Sequence, residues 1–260
     1  MQTVQSNDGT TIAFHKSGSG PALLLVHGTT ADHRRWLPIA PRFETHFTVY
    51  AMDRRGRGDS GDAVDYSYQR EAEDVATVVE AIGTEVDVLG HSYGAICSLE
   101  AALLTGNMRR LVLYEPPIPP MGPPAPPGVT ERMQALIDRG ESEAALEIFM
   151  RQIVRMPEHE LADYRKLPMW QGRIELVPTV PREVEIEHAY HFDPQRFAAL
   201  ATPTLLLLGA DSPHFFHDVT RVLDATLPNS RVVKLPHAQH IAMDTDPTLF
   251  ADVVTQFLLA

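Results

Sequence analysis

At 260 residues, 44% of them hydrophobic and 22% charged, the chain has the balance of a folded globular protein with enough length to bury a substantial core, and this excludes a disordered chain. Its formal net charge of -12 argues against a surface dedicated to nucleic acid or to an anionic membrane, because those partners are bound by clustered Lys and Arg. A single cysteine, Cys97, rules out an intrachain disulfide framework and a Cys-based zinc site and accords with a cytoplasmic protein, the location we expect.

The N-terminal residues lack the basic stretch and apolar core of a secretory signal, and residues 2–16 read as a hairpin around Asn7-Asp8-Gly9, whose residues tolerate positive φ in a tight turn. Short continuous apolar runs follow at 22–26, 47–52, 86–89, 111–114, 204–208 and 231–235, the pattern of strands buried on both faces and hence of a parallel sheet. All are far shorter than a bilayer span, so no membrane-spanning segment is expected. Between them lie amphipathic stretches, clearest at 69–83, where Ala72, Val75, Ala76, Val79 and Ile82 share one face and Gly83 offers a stop; others fall at 94–105, 216–226 and 247–259. The alternation predicts an α/β fold with a mostly parallel central sheet flanked by helices and joined by right-handed crossovers.

Between the sixth and seventh strands the alternation breaks. The segment opens with the proline-rich stretch 116–128, stiff and extended, and continues with helical patterns at 129–139 and 142–155 and less regular sequence to about 200. Residues 116–200 are read as a helical cap inserted into a core formed by 1–115 and 201–260, because Leu136, Ile137, Leu146, Ile148, Phe149 and Ile153 need apolar surface to pack on.

The run Val86-Asp87-Val88-Leu89 leads directly into Gly90-His91-Ser92-Tyr93-Gly94 and then into a helical pattern, the strand-turn-helix setting that a G-x-S-x-G nucleophile elbow requires. The turn would hold Ser92 in a strained conformation with its hydroxyl presented, while the glycines admit neighbouring backbone. A serine hydroxyl needs a base and the base needs an orienting carboxylate. His240, after the last strand, is preferred as base over His237. Asp211, at the carboxyl end of strand 204–208, is preferred as the acid, which gives the order Ser92, Asp211, His240; Glu115, at the end of strand 111–114, is its rival. Strand 22–26 ends in His27-Gly28-Thr29, so the backbone N–H groups of Thr29 and Tyr93 are the candidate oxyanion donors. These residues all lie just beyond carboxyl ends of strands, where open α/β sheets place their ligands.

On the His27-Gly28 turn, Asp53-Arg54-Arg55-Gly56-Arg57-Gly58-Asp59-Ser60, the Ser92 elbow, Asp211 and His240, the whole chain resembles the α/β-hydrolase superfamily, and looks most like its small lid-bearing esterases, lipases, cofactor-free perhydrolases and C–C bond hydrolases. The resemblance implies two-step acyl transfer to water without metal or organic cofactor. One departure bears on the acid: the family commonly has two residues between the glycine and the acid after that strand, whereas here only Ala210 intervenes, which keeps Glu115 in contention.

The Arg-Gly-Asp-Ser within 57–60 reads as a structural turn, and His33, His46, His188, His191, His214 and His217 form no zinc spacing. Trp36, Met121, Phe149, Met169, Trp170 and Glu115 are candidates to line a substrate gorge between core and cap. The expected function is hydrolysis of a carboxylic ester of a small to medium apolar substrate. The alternatives are a C–C or other non-ester cleavage by the same residues, or a small-molecule receptor with slow turnover.

Overall fold

The computed structural model describes residues 1–83, 85–119 and 125–260, so Met121 and the middle of the proline-rich stretch lie outside the described residues. Among the described residues one sheet of eight strands has the order β1-β2-β4-β3-β5-β6-β7-β8, with β1 Gln2–Gln5, β2 Thr11–Gly18, β3 Ala22–Val26, β4 Thr48–Met52, β5 Val86–His91, β6 Met108–Tyr114, β7 Thr204–Gly209 and β8 Ser230–Leu235. β1 and β2 form the expected antiparallel hairpin, β2 runs antiparallel to β4, and the rest are parallel. This is the mostly parallel sheet with flanking helices that the apolar runs predict. In β3, β5 and β7 every residue is buried, which explains why those strands read as continuous apolar runs with no polar alternation. Asp87 breaks the run in β5, and Arg109 on the neighbouring strand compensates it through its Nε at 2.9 Å.

The helix Tyr68–Ile82 starts at Ser67, whose hydroxyl accepts from the Arg70 N–H at 3.2 Å, and stops at Gly83, φ 87°. Its apolar face joins a cluster on one side of the sheet that includes Val75, Val79, Val88, Ile96 and Val219. The opposite face is covered by the helix Pro247–Leu259 and by Trp36, Ile39 and Phe43. Trp36 is thus a core residue: the short turn His33–Trp36 buries the indole completely beneath the sheet, and it does not line the gorge as the sequence suggested.

Residues between β6 and β7 build a third apolar cluster around Met133, Leu146, Leu161, Val177 and Val184. The stretch 142–155 is not one continuous helix, for the α-helix Ser142–Ile148 passes into a π-helical turn, Phe149–Ile153. The stretch that looked irregular folds as the short helices Glu158–Tyr164, Met169–Leu176, Val180–Ala189 and Pro194–Phe197. Pro181 and Pro194 sit in first turns, where a missing N–H costs nothing, so prolines that weaken a helical reading mark helix starts here.

The helix Tyr93–Ala101 is pressed onto the end of β3 at Gly94, where an added Cβ would meet the His27 carbonyl oxygen at 2.3 Å and that of Val26 at 2.6 Å. Backbone cannot yield there as a flexible side chain could. Gly94→Ala should therefore cost roughly 3 kcal/mol or more in urea unfolding. Gly106→Ala, which would meet nothing within 4 Å, should stay within about 0.5 kcal/mol of the wild type. Equal stability of the two variants would contradict this packing.

Candidate active site

β5 ends at His91, and Ser92 turns the chain into the helix Tyr93–Ala101 with φ 55° and ψ -128°, a region that side chains rarely occupy. The turn is enforced from three sides. Ser92 N–H donates to the Tyr114 carbonyl at 2.9 Å, a Cβ on Gly28 would lie 2.8 Å from the Ser92 Cβ, and a Cβ on Gly90 would lie 2.6 Å from the Gly94 carbonyl oxygen. The half-buried Ser92 faces a cavity of about 640 Å³ also lined by Thr29, Ile118, Phe149, Phe216, Glu187 and His240.

His240 sits in the loop after β8, and its Nδ1 lies 2.7 Å from Glu115 Oε2. The other carboxylate oxygen accepts from the Gly209 N–H at 2.7 Å and from the Ser212 hydroxyl at 2.5 Å. Glu115 is 1% exposed, so these three donors are what compensates its burial. Since an ionised carboxylate only accepts, Nδ1 carries the ring proton and Nε2 is left with its lone pair.

The structure thus brings Glu115, and not the preferred Asp211, to His240. Asp211 is exposed, and it is engaged through its backbone N–H, which donates to the Ala238 carbonyl at 3.0 Å. With only Ala210 after Gly209, the turn closes early and directs Gly209 N–H and Ser212 Oγ at Glu115. The short spacing was the sequence signal for this arrangement. Glu115 itself stands at φ 47°, with its N–H 3.3 Å from the Leu207 carbonyl, and the reversal at the end of β6 turns its side chain across to β7.

The loop carrying His240 is fixed from below. Tyr114 donates its hydroxyl proton to the Gln239 carbonyl and accepts from the Ala242 N–H at 3.0 Å. Phe216 stacks on the imidazole with centroids 4.8 Å apart and planes 16° apart, and His91 Nε2 donates to the His240 carbonyl at 2.9 Å. Burial holds His91 well below the usual histidine range, so it stays neutral beside His240. His27 is neutral for the same reason: its Nε2 accepts from the Arg54 N–H at 3.1 Å, which leaves the Nδ1 proton for the Gly28 carbonyl at 2.8 Å. Thr29, next in that turn, donates its hydroxyl to Glu183. Tyr93 opens the helix after Ser92, where first-turn N–H groups lack helical acceptors.

Glu183, on the helix Val180–Ala189, also takes Arg54 Nη2 at 2.6 Å and Arg57, while Arg54 grips Glu71 with two bonds of 2.7 Å. One turn further on, loss of water pushes the Glu187 carboxyl up to about 8, with the Glu183 charge adding to the shift. Of the gorge candidates, Phe149 lines the cavity. Trp170 does not: it is buried in the third apolar cluster, between β6 and β7, and bonds Glu143 through its Nε1–H at 3.0 Å, and Met169 packs against the same cluster. Phe216, Ile118 and Glu187 line the cavity without having been legible as such.

Away from this cavity, ligand atoms of His15, His33, Asp53 and Asp59 lie within 4.8 Å of one another. Asp53 there accepts the backbone N–H of His33 at 2.7 Å and of Asp59 at 3.0 Å, so its carboxylate braces the loop after β4. No helix among the described residues is long and apolar enough to cross a membrane.

Residues 23–253 match the model of the alpha/beta hydrolase family. The chain is similar to an alpha/beta hydrolase from Sphaerobacter thermophilus DSM 20745, with 38% identity, 99% of this chain and 100% of that one covered and a TM-score of 0.88. It is 38% identical to N-formylmaleamate deformylase of Pseudomonas putida over 39% of either chain, less than half the length of that curated relative. To a putative carbamate hydrolase, RutD, of Klebsiella pneumoniae it is 24% identical over 92% of each chain.

The shifted acid in the cavity wall makes stability depend on pH. Between 4.5 and about 8 the native protein holds a proton on Glu187 that the unfolded chain has released, so a rise in pH through this window favours unfolding. Glu187→Gln removes that dependence, and its melting temperature relative to the wild type should climb from pH 5 to pH 8. A constant difference across that range would count against a protonated Glu187.

Proposed function

Because the chain belongs to the alpha/beta hydrolase family, we propose that it is a serine hydrolase that cleaves an ester of a small to medium, largely apolar substrate through an acyl-enzyme on Ser92. The observation that carries this reading is the Glu115–His240 pair: it fixes the protonated Nδ1 of a histidine that shares a cavity with Ser92.

In the first step Ser92 Oγ bonds to the substrate carbonyl carbon while His240 Nε2 takes the hydroxyl proton, and the carbonyl oxygen becomes an oxyanion facing the N–H groups of Thr29 and Tyr93. Glu115 stabilises the imidazolium without taking its proton. Collapse breaks the bond to the leaving alcohol, which receives the proton from Nε2. Water then repeats the sequence on the acyl-enzyme, releasing the acid and restoring Ser92. Every proton is carried by Ser92, His240 or water. Residues 116–200 act as a cap that sets the shape of the cavity through Phe149, Ile153 and Glu187.

A second reading, cleavage of a C–N bond by the same steps, is favoured by the similarity to proteins named as a deformylase and a carbamate hydrolase. It differs only in the leaving group that His240 protonates. Parallel assays on short p-nitrophenyl esters and on N-formyl amides separate the two readings, and steady multiple turnover distinguishes either from a slow receptor.

Three variants test the assignments. Ser92→Ala should abolish turnover and labelling by a fluorophosphonate. Glu115→Gln should lower kcat by roughly 10⁴-fold through the wrong histidine tautomer. Asp211→Asn should retain activity within a few-fold, and an inactive Asp211→Asn beside an active Glu115→Gln would return the acid to Asp211.

A further inference from the structure

Behind Ser92 a small side chamber of about 60 Å³ is lined by Thr29, His91, His240, Phe149, Arg35 and Arg173. It has room for about two waters or one carboxylate group. Two arginines face it, and their environments differ. Arg35 is neutralised by Asp244 in a two-bond fork of 2.6 and 2.7 Å. Arg173, on the helix Met169–Leu176, is 9% exposed, and among the described residues no carboxylate lies within 4 Å of it. Its guanidinium donates to Thr30 Oγ1 and, at 3.4 Å, to the Thr30 carbonyl; it lies 5.1 Å from the centre of the Tyr164 ring, and its Nε–H has no partner.

A guanidinium has five donors in a rigid fork, and burying one without an anion is costly. Elsewhere in this protein buried arginines are matched: Arg54 by Glu71 and Glu183, Arg55 by Asp74 and Asp8, Arg57 by Glu183. Burial draws the Arg173 guanidinium below the usual arginine range, the direction expected where compensation is incomplete. With His91 neutral and Asp244 bound to Arg35, Arg173 adds to the chamber a positive charge that Asp244 offsets only from beyond ion-pair distance and Tyr164 only in part.

We propose that Arg173 is the anchor for a carboxylate on the acyl half of the substrate. The protein then acts on short acyl groups bearing a free carboxylate, with the leaving group in the large apolar cavity. This rests on Ser92 as nucleophile and names the substrate class for that site. The carboxylate in the side chamber pairs with the guanidinium fork, and the chain between it and the carbonyl sets the reacting carbon at Ser92. A neutral acyl group of the same shape leaves the guanidinium unpaired, so discrimination comes from the cost of that vacancy.

Monomethyl succinate and its neutral isostere, methyl 4-methylpentanoate, test the proposal through the ratio of their kcat/KM values. The wild type should favour the anionic ester by more than about 10²-fold. In Arg173→Gln the ratio should fall at least about tenfold, chiefly through KM, and Arg173→Lys should restore part of it. Independently of turnover, succinate should bind Ser92→Ala in calorimetry and lose about tenfold in affinity in the Ser92→Ala/Arg173→Gln double variant. A wild-type ratio near one, an unchanged ratio in Arg173→Gln, or no binding of succinate to Ser92→Ala at millimolar concentration would each overturn the anchor. Cleavage of both esters without preference removes the anchor and leaves the ester reading standing. Arg173-dependent succinate binding without cleavage of either ester does the reverse. Should Arg173→Gln not fold, the wild-type ratio and the binding to Ser92→Ala still decide.

Discussion

Two residues at the ends of adjacent parallel strands, Ser92 after β5 and Glu115 after β6, have left-handed backbone, and the rest of the site depends on that shared reversal. In each case the N–H beyond the strand still bonds to the next strand over, Ser92 to Tyr114 and Glu115 to Leu207. The sheet therefore holds both reversals as extensions of its own ladder. A left-handed non-glycine residue costs on the order of 1–3 kcal/mol, and it persists only when its surroundings leave no alternative. At Ser92, Gly28, Gly90 and Gly94 provide that constraint by letting backbone close in where any Cβ would collide, and at Glu115 the bonds to Gly209, Ser212 and His240 provide it. The sheet supplies rigidity at both strand ends, and the glycines supply the proximity that presents the Ser92 hydroxyl.

The charge arrangement around His240 follows from the same packing. The histidine lies against an aromatic ring and a neutral imidazole, with one carboxylate on Nδ1. A proton arriving on Nε2 would create a cation whose nearest compensation is Glu115, already fixed by a backbone amide and a serine hydroxyl from the β7 turn. That carboxylate need not reorganise when the charge appears, and preorganised compensation of this kind lowers a barrier. A histidine protonated at position 91 would work against it, and burial prevents this.

Strands and elbow were legible because their physical causes are local. Two-sided burial writes continuous apolar runs, and a strained turn needs glycines at fixed offsets from Ser92. That His240 would stand at the cavity beside Ser92 was legible because it follows the last strand. Which carboxylate meets His240 was not, because the choice between Asp211 and Glu115 depends on where a turn one residue short of the usual spacing sends Gly209 N–H and Ser212 Oγ, and that depends on contact between strands 94 residues apart in sequence. Trp36 and Trp170 misled for a related reason: a large aromatic fits a core as well as a pocket, and composition does not say which side of a helix meets the cavity. Glu187 and Arg173 stood out only once their neighbours were known, since what distinguishes them is the compensation they lack.

The helices between β6 and β7 also reach the turn after β3. Glu183 holds the Thr29 hydroxyl, and Arg173 holds Thr30, so two of these helices grip the turn that carries a candidate oxyanion donor. The remaining support for the turn comes from His27, which bonds Gly28 and the β4 loop. The position of the Thr29 N–H is thus set jointly by the loops after β3 and β4 and by the helices between β6 and β7, and Arg54 closes the loop by reaching Glu183. The helices Met169–Leu176 and Val180–Ala189 are therefore linked to the Thr29 N–H through three consecutive residues, Gly28 to Thr30. A displacement of these helices that opened the cavity would also loosen the turn at Thr29, so the proposed cap and the proposed oxyanion donor would move together.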